Sequence, residues 1–417
     1  MKKNVIFTVI AQNYLSFGIS LGVSLRKSNP EIDFILYFAD GISPETKSIL
    51  ASYDLKSGNA LELDPVDTVL DMAFYYGVTE YCTAIKPFII QRLMVQGYHS
   101  VTYLDPDIYV YGSLTTNVLN LLSDHSIIIT PHICSPIHDS AIPDETIHLK
   151  TGTYNLGFIS VKNDSIGQSF TAWWIAKCQE FCFDDVSSSL FVDQKWINLV
   201  PGMFENVYIS RHLGLNMAYW NLHERVMVNN KVNDKYELVF FHFSGFVHKD
   251  IHCISKYQNR FTLTQRPDLI PYFEEYQKQL ELISKTIPHR QPYQFLYYKT
   301  GQSISLLARR FYFWNRNTLE NPFKSLEAEL RFLEILKANA IREEKINSGI
   351  SEPNKINSYA RILNRFLRII QRMVGPNRYA SLCRYFAYVS SLNNNRFLML
   401  NESNIDVVDI DRQHLTR

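Results

Sequence analysis

The sequence lacks the features that mark several common classes of protein. Its six cysteines are scattered over 417 residues, which is too few for a disulfide scaffold, and their spacing matches no zinc site. No segment approaches the ~18 consecutive apolar residues of a membrane-spanning helix. The formal net charge of +1 gives no electrostatic basis for binding nucleic acid. We therefore expect a cytoplasmic protein without a nucleic-acid partner, which at most makes peripheral contact with the inner face of a membrane.

Glycine-rich phosphate-binding loops are absent as well. Neither GxGxxG nor GxxxxGK[ST] follows a predicted strand. The composition, with 46% hydrophobic and 20% charged residues, is nevertheless typical of a folded globular chain. A nucleotide site in this protein would have to be built without the common glycine cradles.

Predicted strands and helices alternate through the first part of the chain. Short β-branched runs predict buried strands, and apolar residues that recur every turn predict the helices between them. This order indicates an α/β fold with a largely parallel sheet, whose ligands bind at the carboxyl ends of the strands. The predicted strands are 4–10, 32–40, 100–105, 126–130, 156–162 and 237–245, and the predicted helices are 13–30, 43–53, 82–97 and 167–181.

The character of the chain changes after about residue 265. The amphipathic periodicity of residues 266–346 predicts a helical extension to a catalytic domain formed by residues 1–265. Residues 347–358 are rich in Asn and Ser and predict a linker. Residues 359–417 are then expected to form a basic amphipathic helical module.

Residues 359–374 carry a basic stripe beside an apolar one. The arginines are spaced by four, three and four residues, and no acidic residue interrupts them. One interpretation is a helix packed on the catalytic domain with solvated arginines; the other is peripheral contact with anionic lipid. The basic stripe comprises Arg361, Arg365, Arg368 and Arg372, and the apolar stripe comprises Ile362, Phe366, Ile369 and Met373.

Two aspartates interrupt an apolar segment in "VTYLDPDIYV", residues 101–110. Unpaired buried carboxylates are rare, so Asp105 and Asp107 require compensation. An Asp-Pro-Asp turn is one explanation. The other is a metal ion, because the pair follows a buried strand of an α/β pattern and hard carboxylate oxygens suit Mg²⁺ or Mn²⁺.

Several further motifs follow in a fixed order. They are "IAQNY" (10–14), "IKPFIIQRLMVQGYHSVTYLDPDIYVYGSL" (85–114), "YNLGFISVKN" (154–163), "VDQKWIN" (192–198) and "FFHFSGFVHK" (240–249). Together they resemble the motifs of GT-A fold glycosyltransferases of the family 8 type, which includes glycogenin and bacterial galactosyltransferases. The resemblance covers about residues 4–250 and implies a GT-A nucleotide-diphospho-sugar transferase sheet. Near His242 the family's "KPW" is replaced by "HKD", which is a departure at Lys249.

The resemblance implies a divalent cation, Mn²⁺ or Mg²⁺, held by Asp105, Asp107 and His242. Such a cation stabilises a diphosphate leaving group as a Lewis acid. A core role for His242, a solvated helix charge at Lys86 and a helix cap at Asn13 and Tyr14 remain open alternatives. The implied donor-binding residues are Asn13, Tyr14, Lys86, Asn155, Gly157, Gly245 and Lys249.

The implied catalytic residues are Asp193 and Gln194. Asp193 would bind hydroxyls of the donor sugar, and Gln194 would lie near the anomeric carbon. The alternative interpretation of Asp193 is a helix N-cap. Retention of anomeric configuration is implied by the resemblance alone. For the acceptor, Tyr219, Trp220 and His223 could stack on and hydrogen-bond a sugar, although ordinary packing explains them equally well.

The sequence thus predicts a metal-dependent hexosyltransferase. It would move a hexose from a UDP-sugar to a glycan, lipid-linked or protein acceptor. One alternative is a sugar nucleotidyltransferase, which would normally carry a glycine-rich basic first loop that "AQNYLSFG" does not supply. Another is a non-catalytic nucleotide-sugar-binding scaffold, which would have no need of three metal ligands.

Overall fold

The structure is a computed structural model that describes residues 3–248, 250, 252–287, 291–339, 341, 343 and 353–392. The chain divides into two compact units, Met1–Gln294 and Phe295–Arg417. All the predicted site residues belong to the first unit.

The strands of the first unit agree with the predicted pattern and add several short ones. Each long predicted strand is present, with bounds that differ by a few residues. In chain order the strands are β1 (Asn4–Ile10), β2 (Asp33–Phe38), β3 (Lys56–Asn59), β4 (Ser100–Leu104), β5 (Ile108–Val110), β6 (Ile127–Pro131), β7 (Tyr154–Lys162), β8 (Asp184–Asp185), β9 (Leu190–Phe191), β10 (Val207–Ile209), β11 (Met227–Val228), β12 (Lys231–Val232), β13 (Tyr236–Glu237) and β14 (Phe240–His242).

A seven-stranded sheet in the order β10-β6-β7-β4-β1-β2-β3 forms the centre of this unit. β7 runs antiparallel to β4 and β6, and the other pairs are parallel. β1 and β4 are buried along almost their whole length, as expected for strands covered by helices on both faces. The predicted α/β class is confirmed.

Helices connect these strands. The second helix begins as its sequence predicts: Ser43 Oγ accepts a hydrogen bond from the Thr46 amide, and Pro44 occupies the first turn. The helices are α1 (Leu15–Ser28), α2 (Pro44–Ser52), α3 (Val66–Tyr75), α4 (Val78–Ala84), α5 (Lys86–Val95), α6 (Leu114–Asn117), α7 (Glu145–Thr151), α8 (Ser165–Phe181), α9 (Val200–Met203) and α10 (Ile270–Ser284).

The first unit extends further along the chain than the predicted boundary at residue 265. Helix α10 packs on α1, and Gln279 on α10 donates a hydrogen bond to the Ser20 carbonyl. The backbone amide of Gln294 then donates to the carboxylate of Asp40, at the end of β2, over 3.1 Å. These contacts place α10, which was predicted to be part of the helical extension, in the same unit as the sheet.

The second unit is helical in the part that the structure describes. It contains α11 (Leu306–Asn315), α12 (Leu326–Ala338), α13 (Pro353–Val374) and α14 (Pro376–Val389). α13 begins at Pro353, inside the predicted linker 347–358, because proline is well suited to the first turn of a helix. Among the described residues, no helix is both long enough and apolar enough to cross a bilayer.

Candidate active site

Asp105 and Asp107 lie in the short connection between β4 and β5, at the carboxyl end of the central parallel strands. The Asp105 amide donates to the Gly157 carbonyl of β7 over 2.8 Å, and the Ile108 amide donates to the Asp105 carbonyl. The chain therefore turns tightly at Pro106. Both carboxylates are about one quarter exposed, so they face the cleft rather than the core.

His242 reaches the two aspartates because β14 pairs with β5. In this antiparallel pair His242 lies opposite Ile108, immediately after Asp107, and the Phe243 amide donates to the Asp107 carbonyl. The Nε2 atom of His242 lies 3.0 Å from Asp107 Oδ1 and 3.6 Å from Asp105 Oδ2. Residues more than 130 positions apart in sequence thus present three ligand atoms within 4.8 Å of one another.

The three side chains fit a divalent cation. Two ligands at right angles in an octahedral shell with bonds of ~2.1 Å lie about 3 Å apart, close to the Nε2–Oδ1 distance seen here. Two carboxylate oxygens and one imidazole nitrogen are a suitable donor set for Mn²⁺ or Mg²⁺. Burial lowers the pKa of His242, but the charge and hydrogen bond of Asp107, together with Asp105, outweigh it and leave the pKa raised.

Gly157 makes room for the histidine. A Cβ atom at this position would lie 2.4 Å from Cε1 of His242, closer than any real contact allows. The backbone of β7 therefore approaches the imidazole more closely than any other residue type would permit. Gly157 was predicted as a donor-binding residue, and the structure places it directly against the side chain of His242.

Lys86 lies behind the cleft and is almost completely buried. Its Nζ atom donates to the Leu156 carbonyl over 3.0 Å and pairs with Asp193 at 3.0 Å and with Asp105 at 3.8 Å. The ammonium also lies 4.1 Å from the centre of the Tyr103 ring. The Leu156 carbonyl accepts one N–H of the lysine, and the two carboxylates are its ion-pair partners.

Burial and ion pairing shift the pKa values of Lys86 and Asp193 in opposite directions. Burial raises the pKa of Asp193 to about 6, although Lys86 opposes the shift. Burial lowers the pKa of Lys86, but Asp193 and Asp105 outweigh it and raise the pKa. At neutral pH the lysine is therefore charged and Asp193 is largely ionised, which makes this a buried ion pair.

Tyr103 completes the support of Asp105. Its hydroxyl donates to Asp105 Oδ1 over 2.5 Å, and the same oxygen faces Lys86. The other oxygen, Oδ2, is the one that faces His242. The carboxylate is thus held by one oxygen and presents the other to the cleft.

A set of buried amides lines the other side of the site. Asn155 Oδ1 accepts from the Gly157 amide and from the side chain of Asn216, and Asn155 Nδ2 lies 3.5 Å from Gln194 Oε1. Gln194, in the 3₁₀ helix Gln194–Leu199, accepts from the Leu156 amide and donates to the Thr151 carbonyl. The side chain of Asp193 accepts no capping hydrogen bond from the backbone of this helix, so Asp193 does not act as a side-chain N-cap.

The predicted acceptor residues lie in and next to the 3₁₀ helix Tyr219–Asn221. Trp220 is buried, and its ring lies edge-on 5.1 Å from His242 and 5.4 Å from His132. Tyr219 and His223 are partly exposed, and His223 Nε2 lies 3.2 Å from the Ser135 carbonyl. The structure therefore places Trp220 beside His242 and leaves Tyr219 and His223 nearer the surface.

Of the remaining donor-binding candidates, the structure describes Asn13, Tyr14 and Gly245. Asn13 and Tyr14 are exposed in a 3₁₀ turn after β1, and the charge of Asp107 helps burial to raise the pKa of Tyr14. Gly245 has a φ of +72°, and a Cβ atom there would lie 2.4 Å from Ser255 Oγ. Lys249 lies outside the residues that the structure describes.

Sequence reasoning missed Asn216, Tyr103 and the pairing of Gln12 with Asp40. Asn216 is fully buried and bonds to His242, which lies 26 residues away. The Gln12 amide donates to Asp40, and burial raises the pKa of this aspartate to about 6. Only the tyrosine had a local signal, since it stands two residues before Asp105 and alternates onto the same face of β4.

Two proteins of Bacillus subtilis are similar in sequence to this chain. No protein-family model matches the chain. Among curated proteins, it is 26% identical to the uncharacterized protein YfnF of Bacillus subtilis over 291 residues, which are 68% of this chain and 91% of YfnF. YfnD of the same organism is 24% identical over 220 residues, which are 50% of this chain and 68% of YfnD.

The solved structures that the chain resembles include glycosyltransferases. The galactosyltransferase LgtC, in complex with donor and acceptor sugar analogs, matches 67% of this chain and 95% of its own, with a TM-score of 0.41 and 15% identity. The glycosyltransferase GlyE of Streptococcus pneumoniae matches 72% of this chain and 67% of its own, with a TM-score of 0.39 and 15% identity.

Proposed function

We propose that this protein is a metal-dependent glycosyltransferase that moves a hexose from a UDP-sugar to a glycan, lipid-linked or protein acceptor, with retention of anomeric configuration. The observation that carries the proposal is the meeting of Asp105, Asp107 and His242 at the carboxyl edge of a mostly parallel sheet. Two segments of the chain, more than 130 residues apart, supply these three candidate ligands next to the buried Lys86–Asp193 pair. The order of the sequence motifs supports the same class.

The chemistry can be assigned to residues of this chain. When bound, the cation supplies a positive charge that stabilises the diphosphate as it leaves. Asp105, Asp107 and His242 would hold it. The bond between the anomeric carbon and the diphosphate oxygen breaks, the acceptor oxygen bonds to that carbon, and the acceptor's hydroxyl proton is released.

Other residues would position the donor. Asn13 and Tyr14, exposed in the turn after β1, would contact the nucleoside. Gly245 and Lys249, which follow His242 in the sequence, would also contact the donor. Asn155, Asp193 and Gln194 would surround the hexose. Because the carboxylate of Asp193 pairs with Lys86, it serves as a fixed acceptor of sugar hydroxyl bonds rather than as a nucleophile.

The direct test is release of UDP from a panel of UDP-hexoses with Mn²⁺. We expect release from one of them that is abolished by EDTA and falls at least about 100-fold in Asp107→Asn, since even outer-shell substitutions at metal sites cost 10–100-fold in metal affinity. The control is Asp124→Asn, an exposed aspartate before β6, at the amino edge of the sheet.

The outcomes separate the alternatives. Release of pyrophosphate from UTP and a hexose 1-phosphate, without release of UDP, would identify a nucleotidyltransferase instead. Binding of UDP-hexoses without turnover on any acceptor would identify a scaffold. Unchanged UDP release in Asp107→Asn would refute the metal-dependent mechanism.

We also propose that α13 binds an anionic membrane surface. Phe366, Ile369 and Met373 are all more than half exposed and lie beside the arginine stripe, and residues 353–392 contain no acidic residue. Such a helix combines apolar insertion with electrostatic attraction to lipid headgroups. It would bring the protein to a lipid-linked or surface-bound acceptor.

Vesicle flotation tests this second proposal. Each basic residue near an anionic surface contributes about 1 kcal/mol, so exchanging Arg365, Arg368 and Arg372 for Gln should lower partitioning onto phosphatidylserine vesicles about 100-fold. The control exchanges Arg331 and Lys337, exposed on α12, for Gln. Equal partitioning of the triple variant and the unaltered protein would refute lipid contact through α13.

A further inference from the structure

Asn216 is buried beside the metal site and uses both ends of its side-chain amide. Its Oδ1 atom lies 3.2 Å from Nδ1 of His242. Its Nδ2 atom donates to Asn155 Oδ1 over 2.9 Å and to Thr130 Oγ1 over 3.0 Å. No part of this side chain is exposed to the cleft, so it acts through its neighbours.

The orientation of this amide follows from a fixed backbone donor. The Gly157 amide N–H can only donate, so the Asn155 atom that it faces, at 3.0 Å, must be the oxygen. The Asn216 atom that bonds to the same oxygen must then be the nitrogen. The remaining end of Asn216, which faces His242, is therefore its oxygen.

The tautomer of His242 follows in turn. A carbonyl oxygen only accepts, so Nδ1 of His242 must carry a proton to bond with Asn216. Nε2, which faces Asp107 and Asp105, is then the nitrogen left to ligate a cation. The hydrogen bond that a metal-binding histidine makes through its other nitrogen fixes both the tautomer and the orientation of the ring.

The backbone at position 216 restricts the residue that can do this. Asn216 has a φ of +55°, in the left-handed region that only Gly, Asn and Asp visit readily. Of these three, only Asn accepts from His242 while also donating to Asn155 and Thr130. The chain geometry and the hydrogen bonds therefore select the same residue.

We propose that Asn216 is a positioning residue that fixes His242 for metal ligation and links it, through Asn155, to Gln194. The inference rests on the proposed function, because it presumes that His242 is a metal ligand. The linkage runs from His242 to Asn216, from Asn216 to Asn155 and from Asn155 to Gln194. It connects the cation site with the residues expected around the hexose.

Two variants that tolerate the left-handed backbone separate the role of the acceptor oxygen from that of the fold. Asn216→Gly removes the whole amide, whereas Asn216→Asp keeps an oxygen for His242 and loses the donor to Asn155 and Thr130. We expect calorimetric titration of the purified protein with Mn²⁺ to show affinity 10–100-fold lower in Asn216→Gly and less affected in Asn216→Asp. Thr130→Val, which removes a bond to the other end of the same amide, should change Mn²⁺ affinity by less than about threefold.

A spectroscopic measurement gives the tautomer directly. In the Mg²⁺-loaded protein, two-bond ¹H–¹⁵N correlation spectra should show His242, assigned with the His242→Ala variant, with its proton on Nδ1. A proton on Nε2, or equal Mn²⁺ affinity in Asn216→Gly and the unaltered protein, would overturn the inference and leave the proposed function standing. Failure of the unaltered protein to bind Mn²⁺ would overturn both.

Discussion

Replacing Lys86 with methionine is the most informative single change in the buried charge cluster. Methionine keeps much of the volume of the lysine stem but removes the ammonium that pairs with Asp193 at 3.0 Å and Asp105 at 3.8 Å. At an effective dielectric constant of ~20, the attraction between unit charges at the shorter distance is about 5 kcal/mol. Leaving a buried charge without its partner typically costs 3–5 kcal/mol of stability.

We therefore expect Lys86→Met to lower the free energy of unfolding of the first unit by about 3–5 kcal/mol. Urea unfolding followed by tryptophan fluorescence is a suitable assay, because four of the five tryptophans lie in this unit. The control is Lys56→Met, which breaks an ion pair of 2.7 Å with Asp33 on the surface and should cost no more than about 1 kcal/mol.

Adding Asp193→Asn to Lys86→Met should restore part of the loss, because the uncompensated buried charge is then removed. We expect a recovery of about 2 kcal/mol or more without recovery of activity. The reasoning would be refuted if Lys86→Met unfolded at the same urea concentration as the unaltered protein. It would also be refuted if Asp193→Asn gave no recovery in the Lys86→Met background.

Three further predictions concern single residues. Gly157→Ala should abolish Mn²⁺ binding measured by calorimetry, because the new methyl group would displace His242. Tyr103→Phe should weaken Mn²⁺ binding about 10-fold, because the metal-facing carboxylate loses its hydroxyl donor. The pKa of Asp40 is raised from 3.8 to about 6. Between these two pH values Asp40 is therefore protonated in the folded state and ionised in the unfolded state. Stability relative to Asp40→Asn should therefore fall by about 2 kcal/mol as the pH rises from 4 to 7, measured by urea unfolding at each pH.

Each of these predictions has a contradicting outcome. Normal Mn²⁺ affinity in Gly157→Ala would show that the new methyl group does not displace His242. The control is Gly202→Ala, in which no atom lies within 4 Å of the new Cβ. Unchanged affinity in Tyr103→Phe would show that Asp105 needs no support. Parallel pH profiles of the unaltered protein and Asp40→Asn would show that the carboxyl titrates normally.

The candidate metal ligands could be identified in the sequence because their signals are local. Asp105 and Asp107 interrupt an apolar segment, and His242 ends another. What the sequence could not show is the pairing of β5 with β14, which sets His242 opposite Ile108. Two three-residue strands have too little pattern to reveal their partner.

The environment of Lys86 also escaped prediction. In the sequence it begins a helix, and a lysine in that place is most simply solvated or directed at a phosphate. In the structure Lys86 is buried. Its ammonium pairs with Asp193, 107 positions later, and donates a hydrogen bond to the Leu156 carbonyl. A buried ion pair between residues distant in sequence produces no periodic pattern from which it could be predicted.

In the second unit, too, the sequence predicted some features correctly and others not. The amphipathic pattern of α12 and α13 predicted helices, whereas the start of α13 at Pro353 contradicted a linker that polar composition had extended to residue 358. Composition described these residues as loop-like, but proline at a first turn and the apolar positions that follow favour a helix. The placement of α10 in the first unit likewise depended on a tertiary contact, that of Gln279 with Ser20.

Diffraction from crystals grown with Mn²⁺ and UDP, at the manganese absorption edge, would locate the metal ion in the first unit. We expect one anomalous peak within bonding distance of Asp105, Asp107 and Nε2 of His242, with the diphosphate of UDP on its open side. UDP bound in the cleft with no manganese at these three residues, or manganese bound elsewhere in the first unit, would contradict it.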